Sequence, residues 1–143
     1  WAVLLDSDGN IAEGSGDNIF IVKDKKVITP KGKDILRGIS RNYILNNLCK
    51  ELNIEAYEAN IDPYDVYSAD EMFMTGTPFC MLPVTHFNGL KVGSGKRGEV
   101  FNKLLNQWSK NTNTDIEKQI KLWNKKDKKD KKDILSPYEF KKK

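Results

Sequence analysis

The stretch Glu13-Gly-Ser-Gly-Asp-Asn-Ile-Phe-Ile-Val22 places the tightest constraint on the fold. A carboxylate stands directly before a glycine-rich turn, and the turn feeds an unbroken apolar run. Such a run, bounded by turn residues, predicts a buried strand. The two glycines let a backbone approach a ligand closely. On local grounds alone, the same residues also suit an ordinary hairpin with a solvent-facing Glu13.

The flanking sequence continues in short apolar runs separated by turn signals. Trp1–Leu5 is β-prone and meets a turn at Asp6–Asn10, and Ile11 and Ala12 return on a second strand. Lys23–Lys26 is a polar turn before a short strand, Val27–Thr29, closed by Pro30. Ile44, Leu45, Leu48 and Leu52 recur at helical spacing behind Ser40, a candidate cap, with Asn53 as the stop. Glu55–Ala59 predicts another strand. Asp62-Pro63 predicts a helix start, with Asp62 as N-cap. Met72–Met74 and Met81–Phe87 predict strands, and Asn88-Gly89 predicts a hairpin turn. Gly98 leads into an amphipathic helix carrying Val100, Phe101, Leu104, Leu105 and Trp108 on one face. The expected architecture is a mixed α/β (α+β) domain with several hairpins and crossover helices.

Charge divides the chain. Residues 1–109 carry 12 Lys+Arg against 14 Asp+Glu, net −2, whereas residues 110–143 carry 12 against 6, net +6. The basic character therefore belongs to the tail. A domain over residues 1–110 is expected, then a helix over 111–124, then a Lys/Asp-rich tail over 125–143 that is disordered or a solvated helix. That tail suggests a nucleic-acid or acidic partner, but Asp127, Asp130 and Asp133 dilute its field. No run approaches a membrane span. Two cysteines, Cys49 and Cys80, make no disulfide framework and fit a reducing, cytoplasmic setting. A single histidine, His86, is too little for a zinc site, so no metal is expected. His86 reads as structural or surface, and Cys80 as packing.

Two further segments are suited to anions. Leu36-Arg-Gly-Ile-Ser-Arg41 opens a helix, where backbone N–H groups lack partners and Ser40 adds a hydroxyl. Capping of its own helix is the plainer role for Ser40. Thr75-Gly-Thr-Pro78 ends an apolar strand in a turn able to offer hydroxyl and N–H donors. Together with Glu13 these make two anion-binding turns and one carboxylate, which matches a phosphorylated aromatic cofactor containing nitrogen.

The order and spacing of these segments resemble the class IV aminotransferases, which use pyridoxal 5'-phosphate (PLP). Glu13-Gly-Ser-Gly-Asp-Asn-Ile-Phe20 is followed by Thr29-Pro30, Leu36–Arg41, Ala69–Thr77 and Pro83-Val84, and the likeness extends over residues 1 to about 109. Leu-Arg-Gly-Ile-Ser-Arg and Gly-Thr-Pro-Phe-Cys80 look most like the branched-chain aminotransferases.

The resemblance implies the large C-terminal domain of the D-amino-acid aminotransferase-like fold, a β-barrel-like sheet with flanking helices. It implies Glu13 at the pyridine nitrogen, Leu36 against the cofactor ring, and Ile39, Ser40 and Thr77 at the phosphate. Gly76, Thr77 and Pro78 would lie at the substrate carboxylate, although Pro78 has no N–H to offer. The Schiff-base lysine is expected upstream of Trp1 and the smaller N-terminal domain is absent, which reads as truncation. Lys23, Lys25 and Lys26 are poor substitutes.

The implied activity is transamination between branched-chain amino acids and 2-oxoglutarate by a homodimeric parent, with this chain inactive alone. D-amino-acid transamination and aminodeoxychorismate lysis are alternatives within the family. A non-catalytic remnant or a basic-tail binding module is the alternative outside it.

Overall fold

A computed structural model describes residues 1–129, and their side chains to residue 122. Nine strands, five α-helical pieces and one π-helical turn follow the expected mixed α/β pattern among the described residues. The strands are β1 (Val3–Leu5), β2 (Ile11–Gly14), β3 (Asn18–Lys23), β4 (Lys26–Pro30), β5 (Ala56–Ala59), β6 (Glu71–Gly76), β7 (Cys80–Val84), β8 (His86–Phe87) and β9 (Leu90–Lys91). Between β4 and β5 run α1 (Ile39–Tyr43), the π-helical turn (Ile44–Leu48) and α2 (Cys49–Glu51). Then come α3 (Pro63–Ser68), α4 (Glu99–Asn111) and α5 (Ile116–Lys129).

The main sheet has seven strands in the order β1-β2-β3-β4-β5, with β6 on the other side of β3 and β7 beyond it. Its hydrogen bonding is antiparallel except between β4 and β5, whose parallel pairing needs the intervening helical crossover. β3 is therefore central, which is why its sequence is apolar without alternation: both faces are covered.

Phe20, Val22 and Phe73 point to one face, against Ile44, Leu48, Phe101 and Leu104 of the helices. Phe20 and Phe73 are cross-strand partners, stacked with centroids 4.9 Å apart, and Phe101 meets Phe73 edge-on at 5.8 Å. Ile19, Ile21, Met72 and Met74 point to the other face, with Ile61, Val66, Phe87 and Val92.

Local signals explain most boundaries. Asp62 and Asp65 form a reciprocal capping box ahead of α3, with Pro63 in its first turn. Asn53 takes a left-handed φ of 52° where α2 stops. Asp24 and Lys25, both at positive φ, make the β3–β4 turn. At the start of α4, both Glu71 carboxylate oxygens accept backbone N–H groups, from Val100 at 2.8 Å and Phe101 at 2.9 Å.

Three expectations are corrected. The strand over Met81–Phe87 is two strands, β7 in the main sheet and β8 in a hairpin with β9. Val92 N–H bonds back to the Thr85 carbonyl at this break. Ser40 is not the cap of its helix: Gly38 holds that position, with no side-chain cap. The helix expected over 111–124 runs instead over Ile116–Lys129, and the first Lys/Asp-rich residues take the solvated-helix alternative. No Gly or Pro interrupts the sequence between Asn111 and Pro137. Ile116 joins the core beside Leu104 and Trp108, and Ile120 packs on it, so the folded body extends past residue 110. The rest of the expected tail, residues 130–143, lies outside the described residues.

Candidate active site

Glu13 and Asn18 are cross-strand partners at the tip of the β2–β3 hairpin, joined by the Gly14–Asp17 turn. Gly14 N–H donates to the Asp17 carbonyl at 2.8 Å and closes the turn. Because β3 starts there, Asn18 lies on the helix-covered face, two residues before Phe20.

Asn18 is the hub. Its Nδ2 donates to the Leu36 carbonyl at 2.8 Å and to Glu13 Oε2 at 3.2 Å. The Leu36 N–H donates to the same Oε2 at 2.9 Å. The carboxylate is thus held by two donors that arrive from different segments, and both fall on one of its oxygens. Gly38 is needed for this arrangement, since a Cβ there would overlap Asn18 Oδ1.

These residues line a cleft of about 190 Å³. Glu13, Asn18 and Leu36 stand with Gly38, Ile39 and Ser40 at the start of α1 and with Thr75, Gly76 and Thr77 at the end of β6. Six of the seven residues expected at the site therefore meet in one place: Glu13, Leu36, Ile39, Ser40, Gly76 and Thr77. Pro78 does not line the cleft. It is exposed in the Thr77–Phe79 loop, which Phe79 N–H closes onto the Gly76 carbonyl at 3.2 Å.

Leu36 and Ile39 expose their side chains, by 73% and 83%, so they join the cleft without belonging to the core. Ser40 is buried and spends no hydroxyl on capping, while the first N–H groups of its helix have no partners within the helix. The Thr75 hydroxyl is buried on the same wall without a hydrogen bond. An unspent hydroxyl, an uncapped helix start and a fixed carboxylate suit a ligand with an anionic end and a basic ring nitrogen. On this donor set, a pyridoxal phosphate fits the cleft.

Lys23, Lys25 and Lys26 are at the opposite end of β3. Lys23 is five residues along the strand from Asn18, about 17 Å away. Its Nζ donates to the Ser68 carbonyl, and Lys26 pairs with Glu55 at 2.9 Å. His86 is exposed on β8, its Nδ1 3.1 Å from the Thr85 hydroxyl. Burial pushes the Cys80 thiol up, away from the thiolate form, and Cys49 to about 11.

Asn18 is the cleft residue that pattern reading passes over, and Arg41 lies just outside the lining. Arg41, adjacent to Ser40, is 5% exposed and donates to the Pro30 carbonyl at 2.8 Å and to Glu58 Oε1 at 2.7 Å. For Asn18 the signal is its fixed place in the quoted motif. Local periodicity assigns it only to a strand.

A family model, "Amino-transferase class IV", matches residues 1–87, and the chain belongs to that family. It is 45% identical over 104 residues to a probable branched-chain-amino-acid aminotransferase of Aquifex aeolicus. It is 46% identical over 103 residues to the branched-chain-amino-acid aminotransferase of Pseudomonas aeruginosa. Each match covers 72% of this chain and 33% of the relative, so the chain spans about a third of the length of these curated relatives.

Among solved structures, the branched-chain amino acid aminotransferase of Escherichia coli is similar with a TM-score of 0.68 at 40% identity, covering 71% of this chain and 35% of that one. A T.th. branched-chain amino acid aminotransferase with pyridoxamine 5'-phosphate is similar with a TM-score of 0.69 at 36% identity, covering 72% and 34%.

Proposed function

We propose that this chain supplies the noncovalent cofactor wall of a branched-chain amino acid aminotransferase that uses PLP and takes 2-oxoglutarate as amino acceptor. The observation that supports this reading is the double restraint on Glu13, by the Leu36 N–H at 2.9 Å and the Asn18 amide at 3.2 Å, across a cleft from Ser40 and Thr77. When bound, PLP supplies an electron sink for the substrate's α-carbon.

The chain's residues do the rest. Glu13 holds a proton on the ring nitrogen, because a neighbouring anion favours the charged pyridinium. Asn18 and Leu36 keep Glu13 aimed, so that its position does not depend on solvent. The Ile39 and Ser40 N–H groups and the Ser40 and Thr77 hydroxyls hold the phosphate. The Gly76 and Thr77 N–H groups orient the substrate carboxylate. The lysine that bonds the cofactor covalently belongs to the part of the parent that this chain does not include, so the chain alone is inactive.

Titration with PLP, followed by the ³¹P resonance of its phosphate, tests this. Saturable binding is expected, weakened about tenfold by Ser40→Ala, which is about 1.4 kcal/mol. Borohydride reduction should leave no stoichiometric pyridoxyl-lysine. Absence of saturable binding overturns the cofactor reading. A site-specific pyridoxyl-lysine overturns the claim that the lysine lies elsewhere.

A further inference from the structure

Asp17 is a buried carboxylate without a partner among the described residues. It is 6% exposed, and both carboxylate oxygens are shut off from water without a hydrogen bond among the described residues. It lines the candidate cofactor cleft, but none of the roles assigned there falls to it. Asn18 points to the helix-covered face, whereas Asp17, one residue earlier, also lines a second cleft on the opposite face of the sheet. That cleft measures about 660 Å³ and is walled by Trp1, Val3, Ile19, Met72 and Met74. Asp17 stands at its edge as a buried carboxylate.

A buried carboxylate without a partner costs several kcal/mol unless it is neutralised or paired. The β2–β3 turn nevertheless builds this position with care. The carboxylate lies against the bare Cα of Gly14, where a Cβ would overlap both of its oxygens. The turn bond from Gly14 N–H to the Asp17 carbonyl holds the backbone in place. Its cover is thin, because Ser15 and Gly16 on one side and Trp1 and Ala2 on the other are exposed.

We propose that Asp17 is the receiving half of a buried, two-pronged ion pair with an arginine guanidinium carried by the part of the enzyme that residues 1–143 do not include. Two free oxygens on one carboxylate match the two parallel N–H donors of a guanidinium. A guanidinium is also more weakly hydrated than an ammonium and stacks on aromatic rings such as Trp1 at the rim. The apolar walls accept the alkyl stem. Relatives of which the match covers only 33% have the additional polypeptide to provide it. The inference rests on family membership and does not depend on the cofactor reading.

Burial is the main force raising the Asp17 pKa. Glu13 adds to it, while the nearby Gly16 N–H and the Trp1 α-amino group oppose it without forming a hydrogen bond. A raised folded-state pKa means that Asp17 favours folding most below its unfolded value. That contribution is lost as pH rises through the folded value.

The test uses the 143-residue chain. Asp17→Asn should raise the thermal midpoint at pH 7 by about 2–5 °C, and the gain should vanish below the carboxylate range. Glu13, His86 at the cleft and the Trp1 amino group are present in both proteins, so the difference isolates Asp17. n-Propylguanidinium should shift the Asp17 carboxyl ¹³C resonance saturably and lower its pKa, with no saturable response in Asp17→Asn. A destabilised Asn variant, or no saturable shift in the parent chain, overturns the proposal. An equal response to n-propylammonium overturns the assignment to a guanidinium. The guanidinium response should be unchanged in Ser40→Ala, whose side chain does not line the second cleft, which separates this result from failure of the cofactor reading.

Discussion

Arg41 and Asp17 are buried to the same degree, at 5% and 6% exposure, and are provided for in opposite ways. Arg41 reaches the Pro30 carbonyl and Glu58 from a strand seventeen residues away in sequence. Asp17 has no partner among the described residues. Glu71 resembles Arg41 in this respect, since the start of α4 donates to both of its oxygens. A buried charge thus marks which parts of the fold are complete within this chain. On the helix-covered face, where α1 and α4 meet the sheet, Arg41 and Glu71 find partners within the chain, although Arg41 Nε is left without one among the described residues. The face bearing Asp17 leaves that carboxylate without a partner among the described residues.

The largest break in that comparison should come from Arg41→Met. The side chain keeps its apolar bulk but leaves the Pro30 carbonyl without its donor and Glu58 without its cation. Glu58 is 44% exposed and recovers water, so the loss falls below that of a fully buried pair, at about 2–3 kcal/mol by denaturant melts. A loss under about 0.5 kcal/mol would place Arg41 with the surface charges. Glu71→Gln ranks next, at about 1–2 kcal/mol, because an amide supplies one acceptor where the carboxylate supplies two, and removes the anion from a helix start. Amide exchange at Val100 and Phe101 should quicken in step. Unchanged exchange would detach Glu71 from helix capping.

Where structure was legible from sequence, the determinants were local. Asp62-Pro63, Asn53 and Asn88-Gly89 each carry their own turn or cap chemistry, and the elements start or stop there. The mixed α/β class followed from the same signals. Strand order was not legible, because β6 joins β3 through pairs such as Phe20–Phe73 that are fifty-three residues apart. Nothing near Phe20 specifies that partner.

The candidate site divides in the same way. Glu13, Ser40 and Thr77 were visible as residue types beside turns, and the motif resemblance grouped them. Asn18 became a hub only when Leu36, eighteen residues on, folded against it. The bare helix start at Ser40 depends on Gly38 filling the cap position, a backbone outcome that the nearby serine masks. Asp17 looked like one more turn aspartate, since burial of its carboxylate depends on how the turn folds it back against Gly14.

The smallest effect gives the sharpest reading of the satisfied pair. The Arg41 guanidinium, through its hydrogen bond first and its charge second, holds the Glu58 carboxyl below the usual carboxylate range. A lowered folded-state pKa means that the unfolded chain takes up the proton first. The pair's contribution is therefore present in full above the unfolded value near 4.5, and is lost as pH falls through the folded value. Glu58→Gln should remove that slope while costing less than about 1 kcal/mol at pH 7, since the carboxylate is half in solvent. Stability measured by urea melts from pH 7 to pH 3 should show parent and variant converging as pH falls. For Asp17→Asn the difference has the opposite sign at neutral pH, and it too should vanish in acid. If the Glu58 curves stay parallel, Arg41 draws its stability from the Pro30 carbonyl and packing alone. The contrast with Asp17 would then lie in hydrogen bonding rather than in charge.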